Sequence, residues 1–177
     1  MSKPSEPDNI EPPDTNTDAT TGSHTDIDVD AEPIDAVGRL RVLIAGIPGA
    51  RIVEGVVDAP FADVWAVMGD LEHGFGRFQP DMRHVRVLRR DGDRIEAHAR
   101  SRYGMRARFD GVLRPGWCWL QSRFVIIGMA AVPEHGRTRV ALTGGVRVPG
   151  RAAIVPVGAR RELRRGLARL GQAVEEG

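Results

Sequence analysis

Residues 52–71 read IVEGVVDAPFADVWAVMGDL. Ile52, Val53, Val56 and Val57 are β-branched and suit a pleated, half-buried surface, so the stretch opens as a strand. Pro60 cannot donate to a ladder and ends it. The same proline is pre-organised for the first turn of a helix. Asp58, just before it, is a carboxylate placed to serve the unpaired N–H groups and the dipole of that helix. Val64, Met68 and Leu71 then recur at helical spacing with Trp65 beside them.

Working outward, residues 72–81 (EHGFGRFQPD) are interrupted by glycine and carry Phe75 and Phe78. They predict a second, short helix or turn. Strand signals come next in series at residues 82–90, 94–102, 106–113, 117–124, 126–132 and 138–148. They are separated by Asp91-Gly92, Tyr103-Gly104-Met105, Pro115-Gly116 and Glu134-His135-Gly136, all turn-forming groups. Residues 159–176 place Leu163, Leu167, Leu170 and Val174 on one side and five arginines elsewhere, an amphipathic helix of about five turns. Strand, short helices, a run of antiparallel strands and a long last helix make an α+β order.

The pattern Val57, Ala59, Pro60, Val64, Trp65 and Asp70 resembles the START-like, polyketide cyclase and lipid-transport superfamily (SRPBCC) over roughly residues 51–176. The resemblance implies a helix-grip: a curved antiparallel sheet wrapped around the C-terminal helix, with a cavity between the two. It also implies a hydrophobic ligand. Members that act as aromatase/cyclases place polar side chains such as Arg, Ser, Tyr and Trp in that cavity.

Three segments are expected. Residues 1–35 hold ten acidic side chains and one basic one, Lys3, for a net −9. Their scarcity of large apolar residues predicts a disordered acidic tail. Residues 36–50 (AVGRLRVLIAGIPGA) form a short apolar lead-in, either a helix or an extra strand packed on the domain. Residues 51–177 form the ligand-binding domain. From residue 36 onward the net charge is +10 and every basic side chain is arginine. Arginine forks match phosphate and carboxylate, so a weak contact with an anionic surface is a second expectation, and the acidic tail a candidate competitor for it. Cys118 is the single cysteine, which excludes an intrachain disulfide and a multi-cysteine zinc site. The N-terminus has no basic start followed by an apolar run, and no apolar stretch approaches the ~20 residues of a spanning helix. A cytoplasmic protein is expected.

Residues 94–110 alternate between charged and small side chains. Arg94, Glu96, His98, Arg100, Arg102, Arg106, Arg108 and Asp110 fall on one face if the turn at Tyr103-Gly104-Met105 is odd in length. Ile95, Ala97, Ala99, Ser101, Ala107, Phe109 and Gly111 then face the helix. Small side chains opposite an amphipathic helix suit an apolar pocket. The candidate ligand-binding set is Ala97, Ala99, Ser101, Phe109, Trp117, Trp119, His84, Phe78, Leu163 and Leu167. Trp117 and Trp119 share one face of a strand, and either line the pocket or cover a sheet edge or helix. No metal-ligand spacing, cofactor motif, phosphate loop or strong nucleic-acid signal is present. Catalysis would fall to Ser101, Tyr103, Arg123 or His84. The residues favour binding or carriage of a lipid, polyketide or isoprenoid without catalysis. A polyketide aromatase/cyclase is one alternative, and an interaction protein working through its arginine surface is another.

Overall fold

The computed structural model describes residues 33–79, 81–146 and 159–177. The acidic tail, apart from its last three residues, lies outside the described residues, as do Arg147 and Val148 of the last expected strand. The element order is α1 (Ala36–Ala45), β1 (Arg51–Val57), α2 (Phe61–Gly69), α3 (Phe75–Phe78), β2 (Met82–Asp91), β3 (Arg94–Ser101), β4 (Arg106–Arg114), β5 (Trp117–Gln121), β6 (Val125–Glu134), β7 (Arg137–Val146) and α4 (Ala159–Glu175). The seven strands form one antiparallel sheet in the order β1-β7-β6-β5-β4-β3-β2. Strands β2 to β7 are a meander, and β1 closes its far edge against β7. This α+β helix-grip is the architecture that the order of sequence signals implies.

The short lead-in is a helix. Asp35 caps α1, accepting from Gly38 N at 2.7 Å, and Val37, Leu40 and Ile44 are its buried stripe. Pro60 caps α2 without a side-chain hydrogen bond, so Asp58 does not take the capping role expected of it. Asp70, at the other end of α2, does bind main chain: its Oδ1 accepts from Glu72 N at 3.1 Å and His73 N at 3.0 Å. Burial works against its charge, but these N–H groups prevail and hold the carboxyl below its usual range. The motif that decided the fold is thus structural. Val57 and Val64 are buried, Trp65 stacks on Phe61 at 6.3 Å between centroids, and the buried Thr138 hydroxyl donates to Ala59 O at 2.8 Å.

The turn between β3 and β4 is odd. Ala99 pairs with Ala107 and Arg100 with Arg106, Ser101 N donates to Met105 O, and Gly104 takes a positive φ of 82°, a conformation that favours glycine. The sheet therefore separates charge from core with the parity that the alternation demands. Two cores result, one on each face. The inner one gathers Val53, Val85, Ile95, Ala97, Ala99, Phe109, Leu113, Cys118, Leu120, Met129, Val140 and Leu142 from the strands with buried side chains of α2, α3 and α4. The outer, smaller one gathers Val37, Leu40 and Ile44 of α1 with Ala50, Ile126, Ala130 and Ala141.

Candidate functional site

The inner face of the sheet meets the helices in a packed apolar core, the place where the sequence set a ligand cavity. Helix α4 packs on β1 and β7 and against α2 and α3. Leu170 is fully buried and Leu163 nearly so, while Leu167 and Val174 are partly buried at the rim. Two glycines set how closely α4 approaches. A Cβ on Gly55 would lie 2.4 Å from Leu167 Cδ2, and one on Gly166 would lie 3.0 Å from Gln79 Nε2 and 3.2 Å from Phe78 O. Phe78 is fully buried and meets Phe75 edge-on at 5.3 Å.

Of the sequence-predicted set, Ala97, Ala99 and Phe109 on the strands and Phe78, Leu163 and Leu167 on the helices share this inner side. Ser101 belongs to the turn: its Oγ accepts from Met105 N at 3.1 Å. His84 is on the other side. The register of β2 slips between Met82 and His84 and again between Val87 and Arg89. The first slip turns His84 outward beside Arg100, where it is exposed. A bulge adds one residue and inverts the parity of the strand beyond it, and the alternation of His84, Val85, Arg86 and Val87 is the signal that puts His84 with Arg86 on the outer face.

Trp117 and Trp119 also face outward. Cys118 and Leu120 are buried in the inner core, so their neighbours must point away. Both tryptophans pack beside the α1 cluster. A Cβ on Gly128 would meet Thr143 Cγ2 at 2.6 Å, Leu40 Cδ1 at 2.9 Å and Trp119 Cε3 at 3.0 Å. The tryptophans are therefore part of the seat of α1, not a wall of the inner space.

The inner side is chemically quiet. Among the buried described residues, the one ionisable group is the Cys118 thiol, pushed up to about 12 by burial and so neutral at ordinary pH. The residues that a catalytic reading would need do not converge: Tyr103 and Arg123 are exposed, His84 faces outward, and Ser101 serves its turn.

The outer face differs. Across β2, β3 and β4 it carries His84, Arg100 and Arg106 in one cross-strand row and Arg86, His98 and Arg108 in the next. Glu96 pairs with Arg108 at 2.5 Å. Beyond these rows a groove of about 840 Å³ runs past Arg94, Arg123, Val112 and Trp119. A smaller cleft of about 370 Å³ lies between β1 and α4, beside Val56, Leu167 and Arg164.

No protein-family model matches the sequence, and no curated protein matches it. Solved structures do match. The solution structure of KanY superposes with a TM-score of 0.58 at 14% identity, over 73% of this chain and 99% of that one. The crystal structure of a Thermus thermophilus protein gives 0.52 at 17% identity, over 72% and 97%. The di-domain aromatase/cyclase BexL of the BE-7585A biosynthetic pathway gives 0.54 at 19% identity, over 71% of this chain and 46% of that longer one. The shared feature is the fold. At these identities the likeness carries the helix-grip fold and no more. No helix among the described residues is long and apolar enough to cross a membrane.

Proposed function

We propose that the protein binds and carries a hydrophobic small molecule, of the lipid, polyketide or isoprenoid kind, between the inner face of its sheet and its helices, and that it does so without catalysis. The observation that supports this is the character of the inner side. Ala97, Ala99, Phe109, Leu113, Cys118 and Leu120 make an apolar layer of mixed size packed beneath the helices, and among the buried described residues the only ionisable group is a thiol held neutral by burial. Apolar surface recognises an apolar ligand by removing it from water. An aromatase/cyclase must move protons and stabilise an enolate, which takes placed acids, bases or oxyanion donors. The similarity to BexL brings the fold without that equipment among the described residues.

The test is native mass spectrometry of the full-length protein for a co-purifying apolar molecule, with titration of a fluorescent fatty acid. Ala99→Phe should abolish probe uptake while circular dichroism stays unchanged. Equal uptake by the folded variant would overturn the inner-face reading. A bound molecule released in a chemically altered form would overturn the non-catalytic one.

A further inference from the structure

We infer that the β3–β4 hairpin tip is a docking site for an anionic lipid surface. Strand β5 pairs with β4 only from Asp110 onward, whereas β4 begins at Arg106. On that side β4 runs four residues past its partner, roughly 13 Å at the rise of an extended chain, while on the other side β2 accompanies β3 to its end, with Met82 paired to Ser101. Its tip presents Tyr103 and Met105, each about two-thirds exposed (68% and 67%). Single exposed apolar side chains are ordinary, but here two stand together on one turn, where they are free to meet an apolar counterpart. Phe124, 46% exposed on the β5–β6 turn, is set back at the same end of the meander.

Cations surround these tips. Arg102 stacks over the Tyr103 ring at 4.6 Å and reaches Asp81 at 3.0 Å. Arg100 and Arg106 stand directly opposite one another on the outer face just behind the turn, and neither has a carboxylate within ion-pair distance among the described residues. Like charges in that relation destabilise a sheet, and an external anion relieves the repulsion. Arg123 lies over the Phe124 ring at 5.1 Å. An aromatic and a thioether at the leading edge, with arginines behind them, match a headgroup layer: the rings enter the interface and the guanidiniums meet phosphate. A nucleic-acid duplex, with its bases already stacked, would engage the arginines and leave the apolar tips in water. The inference goes beyond the cargo reading and does not depend on it, since every residue involved lies outside the inner core.

The experiment is co-sedimentation of the full-length protein with vesicles of phosphatidylcholine mixed with phosphatidylserine, and of phosphatidylcholine alone. Binding is expected to the mixed vesicles and to weaken with salt. Arg100→Gln with Arg106→Gln should reduce it about thirty-fold, at the worth of a basic side chain near such a surface. Tyr103→Ser with Met105→Ser should reduce it about tenfold with little change in salt dependence. Circular dichroism of each variant confirms the fold. Ala99→Phe should bind vesicles normally, which separates failure of this inference from failure of the cargo reading. No binding to the mixed vesicles would overturn the proposal. So would full competition by a short DNA duplex together with wild-type binding of the Tyr103/Met105 variant, which would mark a polyanion-binding face instead.

Discussion

The two halves of the outer face obey the same strand parity and meet opposite fates. On β1, β6 and β7 the outward residues include Ile52, Ile126, Ala130 and Ala141, and α1 lies on them with Val37, Leu40 and Ile44. On β2, β3 and β4 they include Arg86, Arg100, Arg106 and Arg108, which stay in solvent, and His98, which is half-buried among them. A helix docks where its apolar stripe finds apolar or small side chains, because removing that surface from water is the main favourable term. Burying an arginine row would cost more than any packing against it returns. Ion pairs at the rim then hold α1 in place: Asp35 with Arg139 at 2.5 Å, and Arg41 with Glu54 at 2.6 Å. The difference between the halves is one of side-chain chemistry, not backbone.

The rule that apolar contact fixes a helix on the sheet predicts the largest effect where α4 closes the inner face. Leu170→Ala should cost ~2–5 kcal/mol of unfolding free energy, measured by urea denaturation. Leu167, placed at the centre of the same stripe by spacing alone, is only partly buried on Gly55. Its truncation should cost distinctly less than that of Leu170. Equal losses would show that the rim and the centre of α4 are not distinguished as described.

The covered half of the outer face should respond to its pins. Asp35→Ala removes an N-cap and should cost about 1 kcal/mol. The main-chain N–H of Gly38 holds the Asp35 carboxyl below the usual carboxylate range, with burial opposing and Arg139 assisting. Arg41 does the same for Glu54, again against burial. A depressed folded-state pKa contributes stability that is present above the usual carboxylate range and lost as pH falls through the folded value. The thermal midpoint should therefore drop on acidification below that range, and Asp35→Asn should flatten the drop. An identical pH profile for the variant would remove Asp35 from the account.

The bare half should show the smallest and opposite effect. Arg106→Thr relieves a like-charge pair across β3 and β4 and supplies a strand-favouring side chain. The thermal midpoint should stay unchanged or rise by about a degree, and the effect should fade with salt. A clear fall would mean that the arginine row is structurally useful.

The sequence by itself determined the strand-proline-helix opening, the order of elements and the parity of the β3–β4 hairpin. Each rests on local chemistry: Pro60 cannot pair, Ala97 and Ala99 alternate with His98 and Arg100, and only an odd turn at Tyr103-Gly104-Met105 keeps the charges together. Tertiary structure alone decided where α1 lies, and with it the side on which Trp117 and Trp119 end, since a strand's two faces are equivalent until something covers one. It also decided the bulge, because the slip between Met82 and His84 is a pairing event between β2 and β3, whereas the alternation of His84, Val85, Arg86 and Val87 by itself puts His84 on the arginine face. The rim position of Leu167 is of the same kind: helical spacing defines a stripe, but the partner, here Gly55 on the first strand, defines how deeply each member of the stripe is buried.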